Sequence, residues 1–295
     1  MTTGPLALPK LTGRTRIVGV IGWPIAHSVS PPMHNAAFRA LGLDWCYVPF
    51  PVHPDRLPEA LAGARALGLR GINATVPHKQ ALVSLVDELT PAARAIAAVN
   101  TVVFEDDRTL GHNTDAAGFL RSLREAGLSP EGCTALVLGA GGASRAVVYA
   151  LAEVGARVTV LNRTPSRAET LARDMAGLNS HARLEAGPLE RGVIARASLE
   201  VDLVVNTTSL GMWPEVEATP WPEDLRFPRG ALLYDLVYNP RRTRLMVQAA
   251  QSGAVAVDGL AMLVHQGAEA FQLWTGAVPP VALMLAACEQ VLGGG

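Results

Sequence analysis

The 295-residue sequence predicts an α/β fold in two lobes, the second a Rossmann-type doubly wound unit. Three observations predict it. Short β-branched runs alternate with helical spacing along most of the chain. One run, 134–138, leads directly into Gly139-Ala-Gly-Gly-Ala-Ser144 and then an apolar helical stretch, the setting a phosphate-binding turn requires. Hydrophobic residues make up 49% of the chain, enough for a sizeable core and too many for a disordered protein.

The elements follow in order. Residues 1–14 read as a loose leader. Strands are expected at 16–21, 45–49 and 71–76, each bounded by Gly or Pro, with helices at 31–41 and 57–67 between them. Apolar positions at Leu82, Val83, Leu85, Val86 and Leu89 predict a helix over 79–89. Two runs, 100–104 and 109–113, flank an acidic turn and predict a hairpin. An amphipathic helix follows at 116–126, with Phe119, Leu120 and Leu123 on its inner face. The strand 134–138, the helix 145–154 and the strand 157–161 make one βαβ unit of ordinary size. Strands at 202–206, 232–236 and 254–257 continue the alternation, and 259–292 is helical in pattern. No element is legible at 180–200. The division is therefore 116–258 for the dinucleotide-type lobe, and 1–115 plus 259–295 for the other.

Composition excludes several classes of function. The formal charge is −1, which argues against a nucleic-acid binder with its basic face. The longest apolar stretch, 277–288, contains two prolines and is well short of the ~20 residues of a membrane span. The N-terminus lacks the apolar run of a signal peptide. Cys46, Cys133 and Cys288 are widely spaced, which fits reduced, buried thiols in a cytoplasmic protein. His27, His34 and His78 share no metal spacing, so no metal is expected. Only two of the 25 basic residues are lysines, Lys10 and Lys79. Where arginine fills most cationic roles, a lysine within a motif invites a reason beyond charge, since lysine can release its proton and arginine cannot.

Gly139 permits the sharp turn after its strand, and Gly141 lets a pyrophosphate approach backbone with no Cβ in the way. The helix that follows offers unpaired N–H groups and a positive dipole. An NAD site usually carries Asp or Glu at the tip of the second strand, for the ribose 2′-hydroxyl. Here Asn162-Arg163-Thr164 stands at that tip, with Arg167 behind it. Guanidinium groups in place of a carboxylate suit a 2′-phosphate, so the cofactor read from the sequence is NADP.

In the first lobe, Ser28 and Ser30 lie two apart in a segment read as extended, with their hydroxyls on one side next to a helix N-terminus. That is a carboxylate cradle, although Ser30 could equally cap its own helix. Asn73-Ala-Thr75-Val-Pro-His-Lys79 closes a strand at an edge where α/β proteins bind ligands. Asn100 and Asn113-Thr-Asp115 add polar groups at element ends, and Asp115 could also serve as a plain helix cap.

Together these motifs resemble the shikimate dehydrogenase family, in nine blocks from Ile17 to the last helix. They include Gly22-x-Pro-x-x-His-Ser-x-Ser-Pro-x-x-His-Asn35, Asn73-x-Thr-Val-Pro-x-Lys79, Asn113-Thr-Asp115, Asn206-Thr-Thr-Ser-Leu-Gly-Met212, Tyr234-Asp-x-x-Tyr238 and Asp258-Gly-x-x-Met-Leu-Val-x-Gln266. The serine at the third glycine position, Ser144, is also what this family shows. The resemblance implies NADPH-dependent, reversible reduction of the C3 ketone of 3-dehydroshikimate, a step toward aromatic amino acids. It implies that Ser28, Ser30 and Tyr238 hold the substrate carboxylate. Thr75, Asn100 and Gln266 would bind ring hydroxyls, and Lys79 and Asp115 would flank the reacting C3–C4 edge as catalytic residues. Ala140, Gly141, Gly142 and Ala143, with Gly139, would line the pyrophosphate. Asn162, Arg163, Thr164 and Arg167 would hold the adenosine phosphate, and Thr207, Ser209, Met212 and Gly259 would lie near the ribose and nicotinamide. A monomer or homodimer with a small-molecule substrate is expected.

Overall fold

The computed structural model describes residues 11–293. Most of the expected leader, with Lys10, lies outside the described residues, as does the end of the glycine tail. In chain order the elements are β1 (Arg16–Gly22), α1 (Ser30–Ala40), β2 (Trp45–Pro51), α2 (Leu57–Ala66), β3 (Gly71–Ala74), β4 (Glu88–Leu89), α3 (Pro91–Ile96), β5 (Thr101–Phe104), β6 (Thr109–His112) and α4 (Asp115–Glu125). There follow β7 (Thr134–Leu138), α5 (Gly142–Glu153), β8 (Arg157–Asn162), α6 (Pro165–Met175), β9 (Arg183–Pro188), α7 (Arg191–Ala197), β10 (Leu203–Asn206), β11 (Leu232–Asp235), α8 (Arg244–Gln251), β12 (Val255–Asp258), α9 (Leu260–Thr275) and α10 (Val281–Leu292).

The chain forms two compact units, 1–90, 99–112 and 267–295 in the first, 91–98 and 113–266 in the second. These boundaries differ from the lobes read in the sequence at 91–98, 113–115 and 259–266. Side chains explain the difference. Arg145 of α5 donates its Nε–H to the carbonyl of Ile96, and Asn113 Nδ2 donates to Ala98 O at 2.9 Å. Ile96, Ala98 and Met262 are buried in the core of the second unit.

The first unit holds a six-stranded sheet of order β2-β1-β3-β5-β6-β4. β2, β1 and β3 run parallel, β3 and β5 antiparallel, and β5–β6 is the expected hairpin. Pro31 and Pro32 start α1, where their missing N–H groups cost nothing. α10 packs along α1. α1 also turns aromatic rings toward β2 and α9: His34 stacks on Tyr47 at 4.3 Å between ring centroids, and Phe38 on Phe271 at 5.0 Å.

The helix expected over 79–89 does not form. A short 3-10 turn, Ala81–Ser84, and the two-residue β4 take its place. The Lys79 carbonyl, which a helix would give to Val83, accepts instead from Val99 N–H at 2.7 Å. Asp87 is held at the other end by Thr109, through the backbone N–H at 2.7 Å and Oγ1 at 2.9 Å.

The second unit holds an all-parallel sheet of order β12-β11-β10-β7-β8-β9. Numbered within the unit this is the doubly wound order, reversing direction between β7 and β10. Alternate residues of β7 supply its two faces. Ala135 and Val137 join one core with α4 and α5, while Leu136 and Leu138 join another with Trp221, Phe227 and Leu245. The segment 180–200, illegible in sequence, supplies the edge strand β9 and α7. Among the described residues no helix is long and apolar enough to cross a membrane.

Candidate functional site

In the second unit the glycine turn lies at the carboxyl end of β7, beside the end of β10, where the sheet reverses its winding. Gly139 has φ +112°, and a Cβ there would sit 2.6 Å from Thr207 Oγ1, so both conformation and space demand glycine. A Cβ at the exposed Gly141 would meet no atom within 4 Å, and an approaching group finds only backbone at the start of α5. Ser144 ties the turn together. Gly141 N–H donates to Ser144 Oγ at 3.0 Å, Ser144 Oγ lies 2.5 Å from Thr207 Oγ1, and Thr207 Oγ1 donates to Leu138 O at 2.7 Å. A carbonyl only accepts, so the Thr207 proton is committed to Leu138 and Ser144 must donate to Thr207. The Thr207 hydroxyl therefore serves the turn itself.

At the tip of β8, Asn162 Nδ2 donates to Thr164 O at 2.9 Å and folds the tip back. Arg163 and Arg167 are exposed, and no carboxylate among the described residues forms a salt bridge with either. The first turn of α6 has no acidic residue. Two arginines at a helix N-terminus oppose the helix dipole, an arrangement that an anion would relieve. These residues fit an adenosine 2′-phosphate, and the open turn at Gly141 fits its pyrophosphate.

Asp235 is a hub for the next two loops. Fully buried, it accepts from Asn206 Nδ2 at 2.8 Å, Val237 N–H at 3.1 Å and Thr243 Oγ1 at 2.6 Å. Asn206 in turn accepts from Thr208 N–H at 3.0 Å and Thr208 Oγ1 at 2.7 Å. The loop bearing Ser209 and Met212, both exposed, and the loop bearing half-buried Tyr238 thus share one anchor. Burial pushes the Asp235 carboxyl above the usual range, against the pull of those three donors. Gly259 is required by contact: a Cβ would lie 2.1 Å from Leu236 O. Gln266 is buried and donates to Leu263 O at 2.7 Å.

Asp115 is buried as the first residue of α4, with its N–H donating to Asn113 Oδ1 at 3.1 Å. Thr114 occupies the cap position and α4 has no side-chain cap bond. The plain-cap reading of Asp115 is thus corrected. Its carboxylate sits in the positive field of a helix start.

The first unit carries Ser28, Ser30, Thr75, Lys79 and Asn100. The segment of the two serines is not extended: Val29 has φ −92° and ψ 0° and is itself the cap residue, with no side-chain cap bond. Ser30 N–H donates to Ser28 Oγ at 3.3 Å, so the serines are joined by a turn, not by strand alternation. Thr75 N–H donates to Ile21 O at 3.0 Å, and His78 N–H to Thr75 O at 2.9 Å, which closes the turn holding half-buried Lys79. His78 is buried beneath it, its Nε2 2.9 Å from Val52 O, and burial lowers its pKa. Lys79 and Asp115 belong to different compact units.

Sequence reasoning missed the buried partners. Tyr47 reads as a core aromatic in an apolar strand, and Asp235 as one letter of a motif. Only Asn73, a polar residue between Ile72 and Ala74, hinted at an internal network.

A doubly wound sheet with a glycine turn at its switch point, an arginine-tipped second strand and an added α/β unit defines a nicotinamide-dinucleotide oxidoreductase. Family models match the chain as the shikimate dehydrogenase substrate binding domain over 20–102, shikimate/quinate 5-dehydrogenase over 123–209, and the shikimate 5′-dehydrogenase C-terminal domain over 259–289. It is 50% identical over 286 residues to shikimate dehydrogenase (NADP(+)) of Moorella thermoacetica, covering 96% of each chain. With the enzyme of that name from Methanothermobacter thermautotrophicus it shares 46% over 284 residues, covering 96% of this chain and 99% of the other. It also superposes on the Thermus thermophilus shikimate 5-dehydrogenase crystallised with NADP(H) and shikimate, with TM-score 0.83 and 42% identity over 94% of this chain and 100% of that one. The chain belongs to the shikimate dehydrogenase family and is an NADP-dependent oxidoreductase.

Proposed function

We propose that this chain catalyses the reversible, NADPH-dependent reduction of 3-dehydroshikimate to shikimate. The observation that carries the reading is identity of 46–50% along nearly the whole chain to relatives named for that activity. When bound, the nicotinamide would supply the hydride that reduces the C3 ketone. As the carbonyl is reduced, charge grows on its oxygen and must be met by a proton. Lys79 is assigned as the donor at that oxygen, and Asp115 as the carboxylate that orients the neighbouring hydroxyl. Ser28, Ser30 and Tyr238 hold the substrate carboxylate, while Thr75, Asn100 and Gln266 hold ring hydroxyls. The glycine turn and the Asn162–Arg163–Thr164 tip, with Arg167, take the NADP phosphates. Ser209, Met212 and Gly259 lie at the nicotinamide end, and Thr207 contributes there by holding the turn.

By this reading 1–115 with 259–295 supplies most of the substrate-binding residues and 116–258 most of the NADP-binding ones, with Tyr238 and Gly259 the exceptions. Three free, buried cysteines support a cytoplasmic enzyme, and a monomer or homodimer is proposed. The test is absorbance at 340 nm with shikimate or quinate, each paired with NADP⁺ or NAD⁺. Fast reduction is expected for shikimate with NADP⁺. Silence in all four combinations would overturn the reading in favour of a non-catalytic NADP-binding protein.

A further inference from the structure

One buried carboxylate at the carboxyl edge of the doubly wound sheet faces only donors. Asp235 Oδ1 accepts from Asn206 Nδ2 at 2.8 Å and from Val237 N–H at 3.1 Å, and Oδ2 accepts from Thr243 Oγ1 at 2.6 Å. The polarity of these bonds is fixed. Val237 offers an N–H, which can only donate. The Asn206 amide oxygen is taken by Thr208, through its N–H at 3.0 Å and its Oγ1 at 2.7 Å, which leaves the amide nitrogen for Asp235. Thr243 Oγ1 accepts from Met246 N–H at 3.2 Å and gives its own proton to Oδ2. Asp235, Asn206 and Thr243 are at most 1% exposed, so water does not compete for these bonds.

The two oxygens serve different loops. From Oδ1 the bonds run through Asn206 to Thr208, whose Oγ1 accepts from Leu210 N–H at 3.2 Å, and so into the loop bearing Ser209 and Met212. From Oδ2 the bond to Thr243, eight residues on, closes the loop 236–242 bearing Tyr238 into a ring. A carboxylate taken out of water is a costly way to join core elements. Both branches end instead in loops at the edge where α/β sheets hold ligands. We propose that Asp235 is a positioning residue whose two oxygens set two loops separately, Oδ1 the loop that carries Ser209 and Met212 and Oδ2 the loop that carries Tyr238. The proposal rests on the shikimate reading above. Loss of the first branch misplaces the nicotinamide end and slows turnover. Loss of the second releases the residue assigned to the substrate carboxylate and weakens shikimate binding.

The branches can be cut one at a time. In Asp235→Asn the amide oxygen must stay with Val237 and Asn206, so the amide nitrogen faces Thr243 and only the second branch is lost. Shikimate KM should rise about five- to ten-fold, the size of one hydrogen bond, with NADP⁺ KM unchanged and kcat within about three-fold. Thr243→Val cuts the same branch from the other side and reads it if Asp235→Asn does not fold. Thr208→Val keeps the shape of its side chain and removes the hydroxyl of the first branch. It should lower kcat about ten-fold with shikimate KM within about two-fold, and Thr208→Ser should return kcat to near the parent value. With no ligand present, amide hydrogen exchange should quicken over 236–243 in Asp235→Asn and over 207–212 in Thr208→Val, each variant leaving the other segment at its parent rate. Parent enzyme inactive on shikimate would overturn the functional reading. An active parent in which Asp235→Asn keeps the parental shikimate KM and Thr208→Val the parental kcat would overturn the positioning role. So would variants that lower kcat alike, with both KM values unmoved and exchange quickened throughout, the pattern of a residue that only stabilises the fold.

Discussion

Lys79 is one of two lysines in a chain that otherwise uses arginine, and it stands on the turn after β3, half-buried, with its carbonyl tied to Val99. Charge alone would be served by arginine. A proton to give to a forming alkoxide would not, because guanidinium keeps its proton at any working pH. Lys79→Ala and Lys79→Arg should therefore both lower kcat by orders of magnitude and leave shikimate KM little changed. Near-parental turnover by Lys79→Arg would reduce the lysine to a positioning role. His34 makes a different prediction at the same scale. Fully buried, stacked on Tyr47 and with neither ring nitrogen hydrogen-bonded, it is held neutral, its pKa lowered to about 3 by burial. Unfolded, it would take a proton near 6.5. Between those values only the unfolded chain binds that proton, so His34 removes stability as pH falls from 6.5 toward 3, by ~1.4 kcal/mol per pH unit. His78 and His112, also lowered by burial, act in the same direction. Urea unfolding of His34→Phe between pH 6 and 4 should show a shallower slope by about that amount, and parallel slopes would refute the assignment.

The elements were mostly legible where period and punctuation agreed. β7, the glycine turn and β8 announce themselves because a buried parallel strand is a run of apolar residues and the turn has a chemical reason for each glycine. The hairpin β5–β6 did so through its acidic turn. Illegible were β9, whose Arg183 and Glu185 mark a half-solvated sheet edge, and 79–89, where helical spacing was real but the Lys79 carbonyl had a distant partner. Pairing over such separations is invisible to a local pattern. The site followed the same rule: Ser144 was visible as a departure from glycine, but its bond to Thr207, 63 residues on, was not. That bond can be tested. Ser144→Ala removes the acceptor of Gly141 N–H and the donor to Thr207 together, so the exposed turn loses both of its side-chain ties. NADP⁺ KM should rise about ten-fold or more with shikimate KM unchanged, as read from initial rates with each substrate varied in turn. A rise in shikimate KM alone would place the serine outside the cofactor turn.

At the scale of the whole molecule the net charge of −1 provides no long-range field to draw in a polyanionic cofactor. Recognition of NADP must then be local, and the only concentration of cationic charge at the second-strand tip is Arg163 with Arg167. Each sheet has its own core, and a ligand that binds only the folded second unit stabilises it by mass action. At one hundred times its dissociation constant NADP⁺ should add about 2.7 kcal/mol, which is roughly 5–10 °C in Tm at ~2–4 °C per kcal/mol for a unit of this size. NAD⁺ at the same concentration should add less, because it lacks the phosphate. Arg163→Ala should bring the NADP⁺ shift down to the NAD⁺ shift while leaving the latter nearly unchanged, as measured by thermal scans at matched ligand concentration. The comparison separates phosphate recognition from any damage to the fold, since damage to the turn or the sheet lowers both shifts together. Equal losses with the two cofactors would remove Arg163 from the 2′-phosphate and leave the missing carboxylate at the β8 tip without a partner in the argument for NADP.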